Sequence, residues 1–162
     1  MTEVTRHFTA TTFVVRDGKV LLHLHPKQQL WLPPGGHIER DELPDDAARR
    51  EIEEETGLKL RLHSEREASA LAVEMACAVV PQPAFILIEN INPYHQHIDF
   101  TYFASVDGAM DSIDDAVVFQ TGFRWFSPDE LTMDGVPQNV REGARRAVAH
   151  FARTIQKRNA ES

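Results

Sequence analysis

The run GHIERDELPDDAARREIEEETGL, Gly36 to Leu58, carries more information about this chain than any other stretch. Pro44 suits a first helical position, and Asp45 and Asp46 follow in the first turn, where the helix dipole favours anions. Gly57 is a natural stop, so the spacing predicts a helix over Pro44–Thr56. Its last two turns are crowded with acid. Glu51, Glu54 and Glu55 stand at i, i+3 and i+4 and share one face. Like charges at that spacing cost about 0.2–0.5 kcal/mol per pair. They also lie near the negative end of the dipole, where cations are preferred. Arg49 and Arg50 offset only part of this. A helix built for solubility would interleave lysine with glutamate, and breaks of a local rule tend to mark functional sites. A divalent cation would resolve the conflict, because hard oxygen ligands on one face suit Mg²⁺ or Mn²⁺. The alternative is a solvated, glutamate-rich helix face.

Outward from this helix the chain reads as strands and a second substantial helix. Phe8 to Val15 is rich in Thr, Val and Phe, Asp17-Gly18 is a turn signal, and Lys19 to His25 returns as the partner of a hairpin. Pro33-Pro34-Gly35-Gly36 is expected to break regular pairing before the helix. Leu58 to Leu62, Ala84 to Ile91, His97 to Val106 and Phe123 to Phe126 read as strands, the second of them of the buried type. Ala68 to Val80 fits either helix or strand, and Asp107 to Asp115 is an acidic loop. Ser127-Pro128-Asp129-Glu130-Leu131 reads as a capped helical turn. Val140, Ala144, Ala147, Val148, Phe151 and Ile155 recur at steps of three and four and give a C-terminal amphipathic helix. Strands mixed with two helices imply an α/β or α+β sandwich in a single domain over residues 1–162.

Composition narrows the function. The 162 residues are 42% hydrophobic and 26% charged, as in an ordinary globular protein. A formal charge of −8 argues against a protein that grips a nucleic-acid polymer through a basic surface. It does not exclude small anionic substrates, because a bound divalent cation inverts the local sign. Cys77 is the sole cysteine, so no internal disulfide forms, which suits a reducing cytoplasm. No signal peptide is legible before Ala10, and no apolar stretch is long enough to span a bilayer, so a soluble cytoplasmic protein is expected.

The flanks of the acidic cluster sharpen its meaning. Gly36 is followed after five residues by Glu42, and seven residues later comes Arg50-Glu51-Ile52-Glu53-Glu54-Glu55-Thr56-Gly57-Leu58. This resembles the signature of the Nudix hydrolases, Gly-x5-Glu-x7-Arg-Glu-U-x-Glu-Glu-x-Gly-U with U a bulky aliphatic, at every fixed position. The signature covers 23 of the 162 residues, Gly36 to Leu58. The preceding hairpin, the Pro34-Gly35-Gly36 entry and Trp125-Phe126 before a Pro-Asp-Glu-Leu turn are similar to that family too.

The resemblance implies an α/β/α sandwich with a mixed β-sheet between helices. It implies a metal-dependent pyrophosphohydrolase acting on a nucleoside diphosphate linked to another moiety: a nucleoside triphosphate, a nucleotide sugar or a dinucleotide. Mg²⁺ or Mn²⁺ would be held by Glu51, Glu54 and Glu55 with the backbone carbonyl of Gly36. Arg50 would hold the glutamates by ion pairing, and Glu42 would support the loop or a metal-bound water. Metals lower the pKa of bound water and stabilise charge on the attacking and leaving oxygens, and a nearby carboxylate can take the proton. Glu54 is favoured as base or ligand; Asp114 and Asp115 are the loop candidates. Many relatives dimerise, so a homodimer stays open. The competing readings are a nucleotide sensor on the same fold with little turnover, and a prenyl diphosphate isomerase. The isomerase needs a cleft cysteine, and Cys77 sits in an apolar stretch that reads as inert packing.

Substrate choice is less legible. His95, His97 and Asp99 are spaced by two and share one strand face, opposite Ile98, Phe100 and Tyr102. If that face lines the cleft, they bind phosphate, ribose or metal; the alternative is a solvent-facing polar side. His23 and His25 repeat the spacing, but no further Cys or His pattern supports zinc from these four. Trp31 would stack a base or simply pack. Phe85, Phe103 and Phe119 read as core.

Overall fold

A computed structural model of the chain describes residues 4–106 and 122–160. Its sheet is mixed. β1 (Thr5–Arg16) turns through Asp17 and Gly18, at φ 50° and 72°, into antiparallel β2 (Lys19–Leu24). Two left-handed residues in succession are what a tight hairpin of right-twisted strands needs. β3 (Trp31–Leu32) pairs with β2, and β4 (Gly35–His37) pairs with β1. The Pro-Gly-Gly run thus does not end pairing as expected; Gly35, Gly36 and His37 lie opposite Thr11, Ala10 and Thr9. A Cβ on Gly35 would stand 2.8 Å from the Thr11 Cα, so only glycine allows this approach.

α1 (Pro44–Thr56) matches the expected helix residue for residue. Gly57 closes it at φ 72°, its N–H donating to the Glu53 carbonyl. β5 (Leu60–Leu62) follows, and then α2 (Glu65–Met75) takes the segment that fitted helix or strand. β6 (Phe85–Asn92) and β7 (His95–Val106) form an antiparallel pair. β7 runs parallel to β1 over eleven residues, from Thr5 opposite His95 to Val15 opposite Ser105. β8 (Phe123–Phe126) pairs with β2, and a short helical turn at Glu130–Thr132 leads to α3 (Gln138–Ala160). Glu130 and Ser127 cap that turn reciprocally, the Ser127 N–H donating to Glu130 Oε2 at 2.9 Å and the Glu130 N–H to Ser127 Oγ at 3.4 Å.

Two apolar layers result from the alternation of the strands. Ala10, Val14, Leu21, Tyr102 and Ala104 face α1 through Ala47, Ala48 and Ile52. Phe13, Val15, Leu22 and Phe103 face α3 through Val140, Ala144 and Ala147. The sheet is therefore sandwiched between helices, as the resemblance implied. Two local readings are corrected. The apolar run of β6 is not buried: Ile86 and Ile88 are 59% and 65% exposed, because β6 is hydrogen-bonded to β7 alone among the described strands. Cys77 is exposed rather than packed, since it lies past the end of α2. No helix among the described residues is long and apolar enough to cross a membrane.

Candidate active site

The acidic cluster is organised by Arg50. Its Nε and Nη2 donate to the two Glu42 oxygens at 2.7 and 2.9 Å, a bidentate pair. Nη1 donates to Glu51 at 2.8 Å and reaches Glu54 at 3.4 Å, and Nη2 also donates to the His37 carbonyl at 3.1 Å. One guanidinium thus ties the loop, β4 and α1 together. Glu42 also accepts the Glu39 N–H at 3.0 Å, and the Arg50 hydrogen bonds hold its carboxyl below the usual range. The same partners raise the guanidinium, which stays charged.

The other carboxylates differ in environment. Glu51 is largely covered, and a Cβ built on Gly36 would run into its carboxylate. Glu54 is 63% exposed. Glu55 is half-buried, and its Oε2 is buried with no hydrogen-bond partner. Burial first, then the charges of Glu51 and Glu54, push its carboxyl up to about 7. Gly36, Arg50, Glu51, Glu54 and Glu55 thus lie side by side. Asp114 and Asp115, together with Phe119, lie outside the described residues.

On the opposite face of the sheet is a cavity of about 530 Å³ between the strands and the first turns of α3. Its floor includes Thr11, Asp99 and Thr101; Phe85, Leu87 and Glu89 form one wall, and Asn139, Glu142 and Arg146 another. Asp99 is 2% exposed, which corrects the solvent-facing alternative for this strand face. Its Oδ1 accepts the hydroxyls of Thr9 at 2.8 Å and Thr11 at 2.7 Å, and its Oδ2 that of Thr101 at 2.7 Å. Three charge-assisted bonds compensate its burial. Glu89, the β6 partner of His97, has its carboxyl raised by burial and then by Asp99.

Trp31 is not among the residues lining this cavity. It packs edge-on against Phe126 with ring centres 4.8 Å apart, and its backbone N–H donates to the Gly135 carbonyl. His23 stacks on Phe123, whereas His97 meets His7 and His37. Burial and then the neighbouring His37, His95 and His7 hold the His97 imidazole below its ordinary value. Sequence reasoning missed His7, His37 and the threonine cradle of Asp99. Their only signal is the register of β1 against β7 and β4, which is long-range.

Known proteins resemble this chain in sequence and fold. A protein of Lactococcus lactis subsp. cremoris named "Probable DHNTP pyrophosphohydrolase" is 32% identical over 99 residues, covering 61% of this chain and 54% of that protein. This chain thus aligns with about half the length of that curated relative. The crystal structure of a hydrolase of the NUDIX family from Clostridium perfringens superposes with a TM-score of 0.73 at 30% identity, over 91% of this chain and 99% of the other. A MutT NUDIX hydrolase from Burkholderia pseudomallei shares the fold, with a TM-score of 0.58 at 20% identity over 86% and 96% of the two chains. The model of the NUDIX domain matches residues 5–151, so the chain belongs to the NUDIX family.

Proposed function

We propose that this chain is a divalent-metal-dependent hydrolase of phosphoric anhydride bonds, acting on a nucleoside diphosphate linked to a second group. The observation that carries this reading is Glu55, a carboxylate with a buried, unpartnered oxygen beside Glu51 and Glu54. A buried oxygen of that kind is costly unless something pairs with it. The crowding of Glu51 against Gly36 fits the same explanation, since a side chain at position 36 would fill the space beside the carboxylate. The all-oxygen donor set favours Mg²⁺ or Mn²⁺ over softer metals.

Glu51, Glu54 and Glu55, with the Gly36 carbonyl, would hold the metal. Bound there, it would neutralise pyrophosphate charge and acidify water. The remaining work falls to the chain itself. Arg50 is a positioning residue: its fork fixes Glu51 and Glu54 against the loop. Glu54, the most exposed of the set, takes the proton from the attacking water. The cavity over Asp99 lies across the sheet from this cluster and is a separate place for a small molecule. Its volume lies in the ordinary range for small-molecule sites, about 300–1,000 Å³. Its mixed lining offers Phe85 and Leu87 to a ring and Asn139, Arg146 and Glu89 to polar edges.

The test is Mg²⁺-dependent hydrolysis across nucleoside triphosphates, nucleotide sugars and dinucleoside polyphosphates, with Glu54→Gln beside the native chain. Turnover lost in the variant supports the reading and identifies the substrate class. Nucleotide binding without turnover would replace it with a sensor on the same fold. Turnover that survives Glu54→Gln would remove Glu54 from its role.

A further inference from the structure

The sheet face that carries Asp99 continues into a group of histidines. Parallel pairing sets His7 of β1 opposite His97 of β7, and antiparallel pairing sets His37 of β4 opposite Thr9. Because side chains alternate along a strand, His7, His97 and His37 all project on the α3 side. Their rings cluster, with centroids 5.0 Å apart for His37 and His97, 5.5 Å for His7 and His37, and 6.4 Å for His7 and His97. One ring nitrogen from each lies within 4.8 Å of the others.

We propose that His7, His37 and His97 bind one zinc-class divalent ion, at a site separate from the carboxylate cluster of α1. The donor chemistry decides the class of ion. Three neutral imidazoles suit zinc and its neighbours in the transition series, whereas Mg²⁺ requires oxygen ligands. Nitrogens about 2.0–2.1 Å from a tetrahedral ion stand roughly 3.4 Å apart, so the rings close by at most about 1.4 Å. His7 and His37 are exposed, so ordinary side-chain rotation accomplishes this without moving the strands. Three protein ligands leave the fourth position open, as in zinc sites that bind water or a ligand group. Two further groups neighbour the cluster. Glu89 occupies the β6 position directly across from His97, and the His95 ring is 4.6 Å from that of His7. The carboxylate set is held by different residues: at position 36 a Cβ would meet Glu51 on the α1 side, one residue before His37 turns the other way.

The test uses the full chain, freed of any affinity tag and stripped with chelator. Zn²⁺ is titrated by calorimetry in excess Mg²⁺, and Co²⁺ by visible absorption. One equivalent is expected, with an intense tetrahedral-type cobalt spectrum. His7→Gln and His37→Gln, both at exposed positions, should each weaken Zn²⁺ binding about tenfold or more and flatten that spectrum, with circular dichroism unchanged. The pair Glu51→Gln and Glu55→Gln should leave both readouts intact. The proposal is overturned if no stoichiometric Zn²⁺ binds, if binding ignores both histidine substitutions, or if it disappears with the glutamates.

Discussion

Glu55→Gln isolates the electrostatic strain of the acidic cluster. In the metal-free chain the Glu55 carboxyl is raised from an ordinary 4.5 to about 7. Each pH unit between those two values corresponds to about 1.4 kcal/mol, so a sealed group would cost the folded state roughly 3 kcal/mol once ionised. Half-burial and solvent screening bring this to about 1–2 kcal/mol. The sign follows from linkage. An acid with a raised folded pKa contributes stability that is complete below its unfolded pKa and is lost as pH rises through the folded one. The window here runs from about 4.5 to above 7. Glutamine mimics the neutral acid at every pH. In urea denaturation with chelator, the variant should match the native chain near pH 5 and exceed it by about 1–2 kcal/mol near pH 8. At about 2–4 °C per kcal/mol for a chain of this size, melting should rise by roughly 2–8 °C. Adding Mg²⁺ should close or reverse the gap, since only the native chain gains a ligand. A stability difference that is flat with pH, or a variant less stable near pH 8 in chelator, would refute the reasoning.

Three other substitutions probe separate parts of the molecule. Gly36→Ala places a methyl group against the Glu51 carboxylate, the mobile end of a long side chain, so melting should hardly change while Mg²⁺ affinity measured calorimetrically falls about tenfold or more. Asp99→Ala leaves the hydroxyls of Thr9, Thr11 and Thr101 without their acceptor and should cost about 3 kcal/mol in urea denaturation, whereas Asp99→Asn, which keeps one acceptor oxygen, should cost about 1 kcal/mol. Gly143→Ala drives a methyl into the buried Phe13 ring and should cost about 1–3 kcal/mol in urea denaturation with Mg²⁺ affinity unchanged; a variant as stable as the native chain would show that α3 yields freely at this contact.

What the sequence revealed and what it withheld divide by range. α1 was legible to the residue because its signals are local: Pro44 starts it, Gly57 stops it, and its charges fall on one face. The Asp17-Gly18 hairpin was legible for the same reason. β6 was legible as a strand but not as an exposed one, because Ile86-Leu87-Ile88 records β propensity and not whether another element covers it. The Ala68–Val80 stretch lacked a clean period; its residues up to Met75 lie in α2, where Ala68 alone is buried, so packing left no periodic mark to read. The carboxylate cluster needed only the helical repeat to be seen. The burial of Asp99 needed the parallel register of β1 and β7, which joins residues 90 positions apart.

The pairing of β4 with β1 sets two clusters of different chemistry close together in sequence, the carboxylates of α1 and the histidines. β4 is three residues long, and its alternation sends position 36 toward the glutamates and position 37 toward the histidines. At the first of these a Cβ would displace only the far end of the Glu51 side chain. The residue before it must be glycine, because the strand presses onto the backbone of Ala10 and Thr11 of β1. The backbone between them is pinned from the other side by Arg50, which donates to the His37 carbonyl while holding Glu42 and Glu51. Oxygen donors and nitrogen donors are therefore separated by the thickness of one strand rather than by distance along the chain. A slip of one residue in the pairing of β4 with β1 would exchange the two faces and ruin both at once. Gly35 against Thr11 and Arg50 on the His37 carbonyl oppose that slip, so the signature that contains Arg50 also holds the register of the strand leading into it.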